Sequence, residues 1–359
     1  MSEPSAAAWL EQEGLAYIPV AADRPTGFGV RTWAEPDRAI LQCAYIRDAV
    51  QHFEPDVLIG HQLTIGPYVM GEVMAIPLAV IGLAAWMYPN RQGAGPWVYR
   101  NESRWRHGEI VARLNAVRER LTLPPLDPGA EETPLQGDLF LLRSLPVLEG
   151  NIEDLPSRVH AIGAAVEPLS QSQPDLEEWL VEIESDACLY VQEGRTFDSP
   201  RFLDIVVEAF SGTATRVVMD IANMDGAIPQ MWPENFFVRP KICSSVVLPR
   251  CGAVITTGHS TAVLSAILHG VPLLLLPNGS GTTDIAARCL AAGIGVVAET
   301  DSLTVACLKR DVVALTTAPS YAIAAESMQR EFAAVDSLTL AADLLERLGS
   351  TKLPVSRQR

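Results

Sequence analysis

Short runs of branched aliphatic residues recur through residues 186–349, and each run is followed by a segment with helical spacing of apolar residues. Clear examples are the runs at residues 187–191, 216–221, 253–256 and 272–276. These runs show little alternation of apolar and polar residues, which is typical of parallel strands buried on both faces. The pattern predicts an α/β fold in which helices cover a doubly wound parallel sheet.

The first half of the chain alternates in the same way but less regularly. Strand-like runs at residues 15–20, 57–59 and 78–83 are separated by helical segments such as 37–52. Such an alternation favours βαβ units and a second parallel sheet.

A stretch of small and polar residues at 164–174 is typical of a linker between domains. The chain has 359 residues, which is longer than most single domains. We therefore predict a first domain over residues 1–166, a second over 167–349 and a tail over 350–359.

Composition excludes several classes of protein. The formal net charge is −16 and no run of Lys or Arg interrupts it, which argues against nucleic acid as a partner. The longest apolar stretch, residues 75–89, is short and is broken by Pro77 and Gly82, so no stable membrane anchor is expected. The N-terminus lacks a signal-peptide pattern, and a cytoplasmic location is the default. The six cysteines form no C-x-x-C pair and are expected to be buried thiols.

The most informative loop is residues 256–261, Thr-Thr-Gly-His-Ser-Thr, between a buried strand and a helix. A helix N-terminus exposes unpaired N–H groups, and Gly258 would let the backbone approach an anion closely. Ser260, Thr261 and His259 could add hydrogen bonds. The loop therefore fits a diphosphate site, although Ser260 or Thr261 could equally serve as a helix cap.

The segment 248–277, together with 286–288 and 292–295, resembles family 1 glycosyltransferases, in particular the bacterial natural-product enzymes. The similarity extends upstream through residues 55–59 and 144–149. The resemblance implies the GT-B fold, in which two Rossmann-like domains face a cleft. It also implies that the first domain binds an acceptor and the second a nucleotide sugar.

In that family the loop reads His-Gly-Gly-x-Gly-Thr and holds the donor diphosphate. Here one glycine survives in register, the leading histidine is replaced, and a histidine appears two positions later. A second loop, after the strand that ends near residue 191, is expected to face the diphosphate as well. The resemblance thus implies these diphosphate contacts: Thr257, Gly258, His259, Ser260, Thr261, Gly194, Arg195 and Thr196.

Two other parts of the donor site depart from the family. Where the family has an acidic residue and Gln that bind the donor sugar, this chain has Gly281 and Thr282. Asn278, Thr283 or Asp284 could take their place. Asp284 could equally be a helix N-terminal carboxylate that interacts with the dipole. The nucleobase is expected near Arg239, Pro240, Lys241 and Ile242, although solvated surface charges are an alternative for the two basic residues.

Inverting members of the family use a histidine on the first strand-to-helix loop as general base, and an aspartate orients it. No histidine precedes His52, and Met1 aligns near the end of the family's second strand. We therefore expect that the first strand, loop and helix are absent, and that the reading frame starts upstream or that a partner chain or homodimer fills the gap. His61 stands where the family has its aspartate. It could act as the base, or it could bind nearby backbone.

The leading hypothesis is an inverting glycosyltransferase that moves a sugar from UDP or dTDP to a small hydrophobic acceptor. It would need no cofactor and no metal, because no D-x-D pattern occurs and helix N–H groups can stabilise the leaving diphosphate. Trp86, Tyr88 and Trp97 would suit a flat acceptor, or could pack in the core. Two alternatives remain open: a catalytically silent homologue that acts as partner or activator of a true transferase, and a GT-B sugar-nucleotide epimerase.

Overall fold

The structure is a computed structural model with two units. Unit 1 consists of Met1–Arg143, Asn151–Ile162 and Leu338–Arg359, and unit 2 consists of Ser144–Gly150 and Gly163–Ser337. The residues that the structure describes are 7–12, 14–16, 18, 36–83, 97–127, 134–149, 155–166, 173–181, 188–192, 202–221, 231–240, 242–277 and 282–357.

The elements described up to the end of the first sheet alternate between helix and strand. In chain order they are α1 (Ala7–Gln12), α2 (Pro36–Phe53), β1 (Leu58–His61), α3 (Ile65–Met74), β2 (Leu78–Gly82), α4 (Trp97–Arg120), a 3₁₀ turn (Pro134–Gln136), β3 (Leu139–Leu142), α5 (Pro146–Glu149) and β4 (Val159–Ala161).

The remaining elements continue the alternation and close with three helices. They are α6 (Pro174–Val181), β5 (Cys188–Gln192), α7 (Phe202–Phe210), β6 (Arg216–Asp220), β7 (Phe236–Arg239), α8 (Ser244–Val247), a 3₁₀ turn (Leu248–Arg250), β8 (Cys251–Thr256), α9 (Ser260–Leu268), β9 (Leu273–Leu275), α10 (Thr282–Ala291), β10 (Gly295–Val297), a 3₁₀ turn (Thr300–Ser302), α11 (Val305–Thr317), α12 (Pro319–Ala333) and α13 (Ser337–Thr351).

Unit 2 contains a six-stranded sheet in the order β10-β9-β8-β5-β6-β7, and all of its strand pairs are parallel. Counted from the first strand of the unit, this order is 6-5-4-1-2-3, the doubly wound arrangement of nucleotide-binding folds. The strand order reverses between β5 and β8. This confirms the predicted fold class and places the switch point, where ligands bind in such sheets, beside the loop that follows β8.

The strands of unit 2 are buried because their side chains are apolar on both faces. On one face Leu189, Val191 and Ile255 join a cluster with Phe202 and Val206 of α7. Burying each aliphatic side chain contributes about 1.5–3 kcal/mol, which explains why the runs lack alternation.

Unit 1 contains a four-stranded parallel sheet in the order β1-β2-β3-β4. Two of the strands, β1 and β2, lie where the apolar runs at residues 57–59 and 78–83 predict them, and α2 covers the predicted helix at residues 37–52. The strand predicted at residues 15–20 is not found among the described residues of that run. Leu15, Ala16 and Ile18 carry no strand, and the other residues of that run lie outside the described part of the chain.

The C-terminal segment corrects the predicted domain boundaries, because Leu338–Arg359 belongs to unit 1 rather than to the second domain or a free tail. The Val355 N–H donates to the Asp138 carbonyl oxygen at 2.9 Å, and the Arg357 N–H donates to the Ser157 carbonyl oxygen at 2.8 Å. Val355 is 1% exposed. The other boundary falls at Gly163, a few residues before the predicted one.

No helix among the described residues is long and apolar enough to cross a bilayer.

A stability prediction follows from Gly137, which precedes β3 with a φ of +63°. A Cβ at this position would lie 2.6 Å from the Leu78 carbonyl oxygen and 2.9 Å from Val80 Cγ2. The substitution Gly137→Ala is expected to destabilise unit 1 by about 2–4 kcal/mol, because it adds a backbone clash to an unfavourable left-handed conformation. Hydrogen exchange at a series of urea concentrations, followed on peptides of the unit that carries the substitution, measures the loss of unfolding free energy.

Gly212 provides the matched control, with a φ of +66° and no atom within 4 Å of an added Cβ. Gly212→Ala is expected to lower the free energy of unfolding by only about 1–2 kcal/mol, the cost of the left-handed backbone conformation for alanine. Equal losses for the two variants would contradict the role assigned to the clash at Gly137.

Candidate functional site

The loop after β8 leads into α9 at the switch point of the unit 2 sheet. The N-cap of α9 is His259, with extended backbone (φ −63°, ψ 139°) and no side-chain bond to the helix. Ser260 and Thr261 are the first two helical residues, so neither of them caps α9 as the alternative interpretation proposed. The His259 side chain therefore does not cap the first N–H groups of α9, which form the positive end of the helix dipole.

Gly258 occupies the left-handed region with a φ of +87°, which favours glycine. Its N–H donates to Thr256 Oγ1 at 3.3 Å. A Cβ on Gly258 would lie 3.3 Å from the Thr282 carbonyl oxygen, so the loop runs close against the start of α10. The residues predicted to bind the diphosphate are thus brought beside Thr282, one of those predicted to bind the sugar.

Two polar side-chain atoms of this loop are buried and have no hydrogen-bond partner among the described residues. Thr257 is 0% exposed, and neither its Oγ1 nor His259 Nε2 has a hydrogen-bond partner within the described part of the chain. A buried polar group left unpaired costs about 1–3 kcal/mol. Unpaired groups that adjoin an uncapped helix N-terminus are typical of a site that an acceptor-rich ligand completes.

Burial lowers the pKa of His259 below the usual value of 6.5. In the free protein near neutral pH the imidazole is therefore uncharged. A bound diphosphate would raise this pKa, because a nearby negative charge favours the imidazolium.

Of the residues predicted for the donor sugar, Thr282 and Asp284 lie in the first turn of α10, and both are buried. This location matches the alternative in which the Asp284 carboxylate interacts with the helix dipole. Arg288, one turn further along α10, forms an ion pair with Glu149 of α5 that holds the helix within unit 2. Asn278 and Gly281 lie outside the described residues.

Of the residues predicted for the nucleobase, Arg239 ends β7, the edge strand, and the others follow it. The Arg239 guanidinium forms an ion pair with Asp175 and lies 5.3 Å from the centre of the Phe237 ring. Ile242 is buried, and Pro240 is exposed. The Arg239 side chain is 52% exposed, so this is a surface ion pair and matches the alternative of a solvated charge. Lys241 lies outside the described residues.

A row of polar side chains at the same sheet edge was missed by the sequence reasoning. Gln192 ends β5 and is in register with Asp220 on one side and Thr256 on the other. Asp220 is 5% exposed, and its Oδ2 accepts from the Gln192 amide at 3.4 Å and from the Tyr190 hydroxyl at 3.5 Å. Burial and the Asp220 carboxylate raise the pKa of Tyr190 well above its usual value. The available signal was a single polar residue at the end of each apolar run.

In unit 1, His61 ends β1 and is exposed at the carboxyl edge of the sheet. The Leu63 N–H donates to His61 Nδ1 at 3.2 Å, which places the proton of the neutral ring on Nε2. Desolvation by the surrounding protein lowers the pKa of His61 to about 4, and the positive charge of Arg143 adds to the shift. The bond to Leu63 matches the alternative in which His61 binds nearby backbone.

The other predicted site residues lie outside the described residues. These are Gly194, Arg195, Thr196, Trp86 and Tyr88, and for Trp97 only the backbone at the start of α4 is described. Among the described residues no group of three or more His, Cys, Asp or Glu side chains could hold a metal ion.

Comparison with known proteins matches residues 205–348 to a family model described as the erythromycin biosynthesis protein CIII-like C-terminal domain. The 4'-demethylrebeccamycin synthase of Lentzea aerocolonigenes is 27% identical over 322 residues, which covers 83% of this chain and 75% of that protein.

Solved structures share the fold over nearly the whole chain. The glycotransferase of kitacinnamycin superposes with a TM-score of 0.74 at 21% identity, covering 98% of this chain and 90% of that one. The glycosyltransferase VinC, solved in complex with dTDP, superposes with a TM-score of 0.67 at 22% identity, covering 97% and 91%. The chain therefore shares the fold of these glycosyltransferases, and its residues 205–348 match the erythromycin biosynthesis protein CIII-like C-terminal domain.

Proposed function

We propose that this protein transfers a sugar from a nucleoside diphosphate to a hydroxyl of a small hydrophobic acceptor, with inversion at the anomeric carbon. The observation that carries the proposal is the combination of an uncapped α9 N-terminus with the buried, unpaired Thr257 Oγ1 and His259 Nε2. These groups are hydrogen-bond donors or can become donors, and a diphosphate offers only acceptors.

The reaction forms a bond between the acceptor oxygen and the anomeric carbon, while the bond from that carbon to the diphosphate oxygen breaks. The acceptor hydroxyl loses its proton to a general base, and negative charge develops on the leaving diphosphate. In this proposal the α9 N–H groups, Thr257 Oγ1 and His259 Nε2 stabilise this charge. The same groups would do so without a metal ion, so metal independence is part of the proposal.

His61 is the proposed general base. Its imidazole is neutral near pH 7 because its pKa is about 4, so it can accept a proton, although as a weak base. To present a free Nε2 lone pair, the ring must exchange its proton to Nδ1 and lose the 3.2 Å bond from Leu63. The loss of such a bond costs about 0.5–1.5 kcal/mol, which interactions with the bound substrates can offset.

The proposal is tested first by calorimetry with UDP and dTDP in the presence of EDTA, followed by a turnover assay with the matching sugar nucleotides and a panel of flat hydrophobic acceptors. We expect binding of at least one nucleotide without a divalent cation and formation of an inverted glycoside. Absence of binding to both nucleotides would overturn the proposal.

The variant His61→Ala is expected to lower kcat by about 10²–10⁴-fold and to leave the Kd of the nucleotide unchanged. His52 is a matched control, since it is also an exposed histidine of unit 1 whose Nδ1 is bonded to backbone, at the Asp48 carbonyl oxygen. His52→Ala is expected to retain kcat. If His61→Ala has the same kcat as the wild type, His61 is not the general base.

A second candidate function, a catalytically silent homologue that acts as partner of a true transferase, is favoured by the bond between Leu63 and His61. In that case the wild-type protein binds a nucleotide but forms no glycoside with any acceptor tested. The turnover assay therefore separates the two functions while the binding assay supports both.

A further inference from the structure

The carboxyl edge of the sheet in unit 1 carries a second ionisable residue besides His61. Arg143 directly follows β3, and its backbone N–H donates to the Gly82 carbonyl oxygen at 2.8 Å. On the other side of β2, the Gln62 N–H donates to the Ile81 carbonyl oxygen at 3.0 Å. These two bonds hold the chain that leaves β1 and the chain that leaves β3 against the end of the strand between them.

The pleat of the sheet places the side chains of His61 and Arg143 on the same face. His61 is in register with Ile81 of β2, and Ile81 is in register with Leu141 of β3. Arg143 lies two residues beyond Leu141, and side chains two residues apart along a strand share a face. With strands about 4.8 Å apart and a rise of about 3.3 Å per residue, the Cα atoms of His61 and Arg143 lie roughly 12 Å apart. An acceptor that binds over Ile81 would lie between the two side chains.

Arg143 supplies a partly desolvated positive charge at this edge. Its side chain is half-buried, and burial lowers the pKa of its guanidinium below the usual value. An arginine nevertheless stays charged near neutral pH. Burial and, after it, this positive charge lower the pKa of His61 to about 4, which makes His61 a weak base.

A weak base limits the hydroxyls that the site can activate. An aliphatic hydroxyl is about as weak an acid as water, with a pKa of about 16, whereas a phenol has a pKa of about 10. A cation within about 4–6 Å of an acid lowers its pKa by about 1–3. Beside Arg143 a phenol therefore ionises to a substantial extent near neutral pH, and an aliphatic alcohol does not. The charge that weakens the base thus strengthens the acid on which the base acts.

From this arrangement we propose that the acceptors of this protein are phenols, and that the Arg143 guanidinium pairs with the phenolate oxygen that attacks the sugar. The phenol proton passes to His61 and from there to solvent. The phenolate oxygen forms the bond to the anomeric carbon, and the electron pair of the breaking bond leaves with the diphosphate. The inference rests on the proposed function, because it requires that a sugar is transferred and that the acceptor binds at this edge of unit 1.

Matched acceptors test the inference in the wild-type protein. Each of several flat phenols is paired with the alcohol that has one methylene between the ring and the hydroxyl, as in naphthol and naphthalenemethanol. We expect kcat/KM to be at least about a hundredfold higher for the phenol of each pair. Equal or lower values for the phenols would overturn the acceptor class alone. If a nucleotide binds and no acceptor forms a glycoside, the proposed transferase function fails together with the inference.

The variant Arg143→Gln locates the effect and contains its own control for folding. It is expected to lower kcat for naphthol by about tenfold to a thousandfold, the effect of a nearby cation on the ionisation of the nucleophile. A nitrophenol ionises readily without a cation, and its kcat is expected to fall by less than about threefold. Equal losses for the two phenols would show that Arg143 serves the fold, and would overturn its pairing with the phenolate.

Arg158→Gln is the matched control in the same sheet. Arg158 is also half-buried, but it directly precedes β4 and so lies at the opposite edge, where its guanidinium donates to the Gly137 carbonyl oxygen at 3.2 Å. This variant is expected to keep the wild-type kcat with both phenols. A loss in Arg158→Gln that matches the loss in Arg143→Gln would contradict a local effect of Arg143 and overturn its assignment.

Discussion

Thr257→Val is expected to weaken nucleoside diphosphate binding by roughly tenfold to a hundredfold while the free protein becomes no less stable. The hydroxyl of Thr257 is fully buried and has no hydrogen-bond partner within the described residues, so valine, which has the same shape, removes an unsatisfied group. Such a replacement stabilises a free protein by about 1 kcal/mol. The bound diphosphate, in contrast, loses a hydrogen bond to a charged group, worth about 1.5–3 kcal/mol. Calorimetry and thermal unfolding of the same preparations measure the two effects.

Thr316→Val provides the opposite case in the same unit. The Thr316 hydroxyl donates to the Val312 carbonyl oxygen at 2.9 Å, within α11, so it is already satisfied. Its removal is expected to leave nucleotide affinity unchanged and not to stabilise the free protein. A Thr257→Val variant that is less stable and binds nucleotide as tightly as wild type would show that this hydroxyl serves the fold instead of the ligand.

The affinity for a nucleoside diphosphate is expected to increase as the pH falls from 8 to 6, and His259→Gln is expected to remove the part of this dependence that the protein contributes. Burial lowers the pKa of His259 in the free protein, and a bound diphosphate raises it. Binding therefore takes up a proton over the range between the two pKa values. By linkage, log Kd decreases with falling pH by up to about one unit per pH unit in that range.

The measurement is Kd by calorimetry at several pH values, and proton uptake is checked in buffers with different ionisation enthalpies. His269→Gln is the control, since His269 stands at the other end of α9 with its Nδ1 bonded to the Ser265 carbonyl oxygen. This variant is expected to keep the wild-type slope. The diphosphate itself titrates, so its contribution is the slope that remains in His259→Gln. Identical slopes in wild type and His259→Gln would refute proton uptake by His259.

Much of the second half of the fold could be predicted because its strands are buried on both faces. Apolar runs such as the one that forms β8 alternate along the chain with segments of helical periodicity. The sequence therefore indicates both which segments are strands and that the sheet is parallel. Helix α4 was not recognised, although Ile110, Val111, Leu114 and Val117 face the core at helical spacing. Its first turns carry several polar and charged residues, so the helical periodicity of apolar residues is weak over the whole helix.

The candidate site was only partly predictable. The loop at Gly258 stands out because small polar residues link a buried strand directly to a helix, which is a local signal. Gln192 and Asp220 each end an apolar run, but 27 residues lie between them, and only the register of β5 and β6 brings the two together. The return of Leu338–Arg359 to unit 1 was missed for the same reason, because contacts distant in sequence leave no periodicity.

That return has a consequence for how the protein is made. Unit 1 includes the buried Val355, while unit 2 is formed by residues that are all synthesised before it. Domains generally fold as units during synthesis, at about 5–20 residues per second. On the ribosome, unit 2 can therefore complete its core first, whereas unit 1 cannot bury Val355 until that residue has left the exit tunnel. Loss of the last turn of α13 and the residues after it, for example by a premature stop codon, would damage the half of the molecule that was translated first.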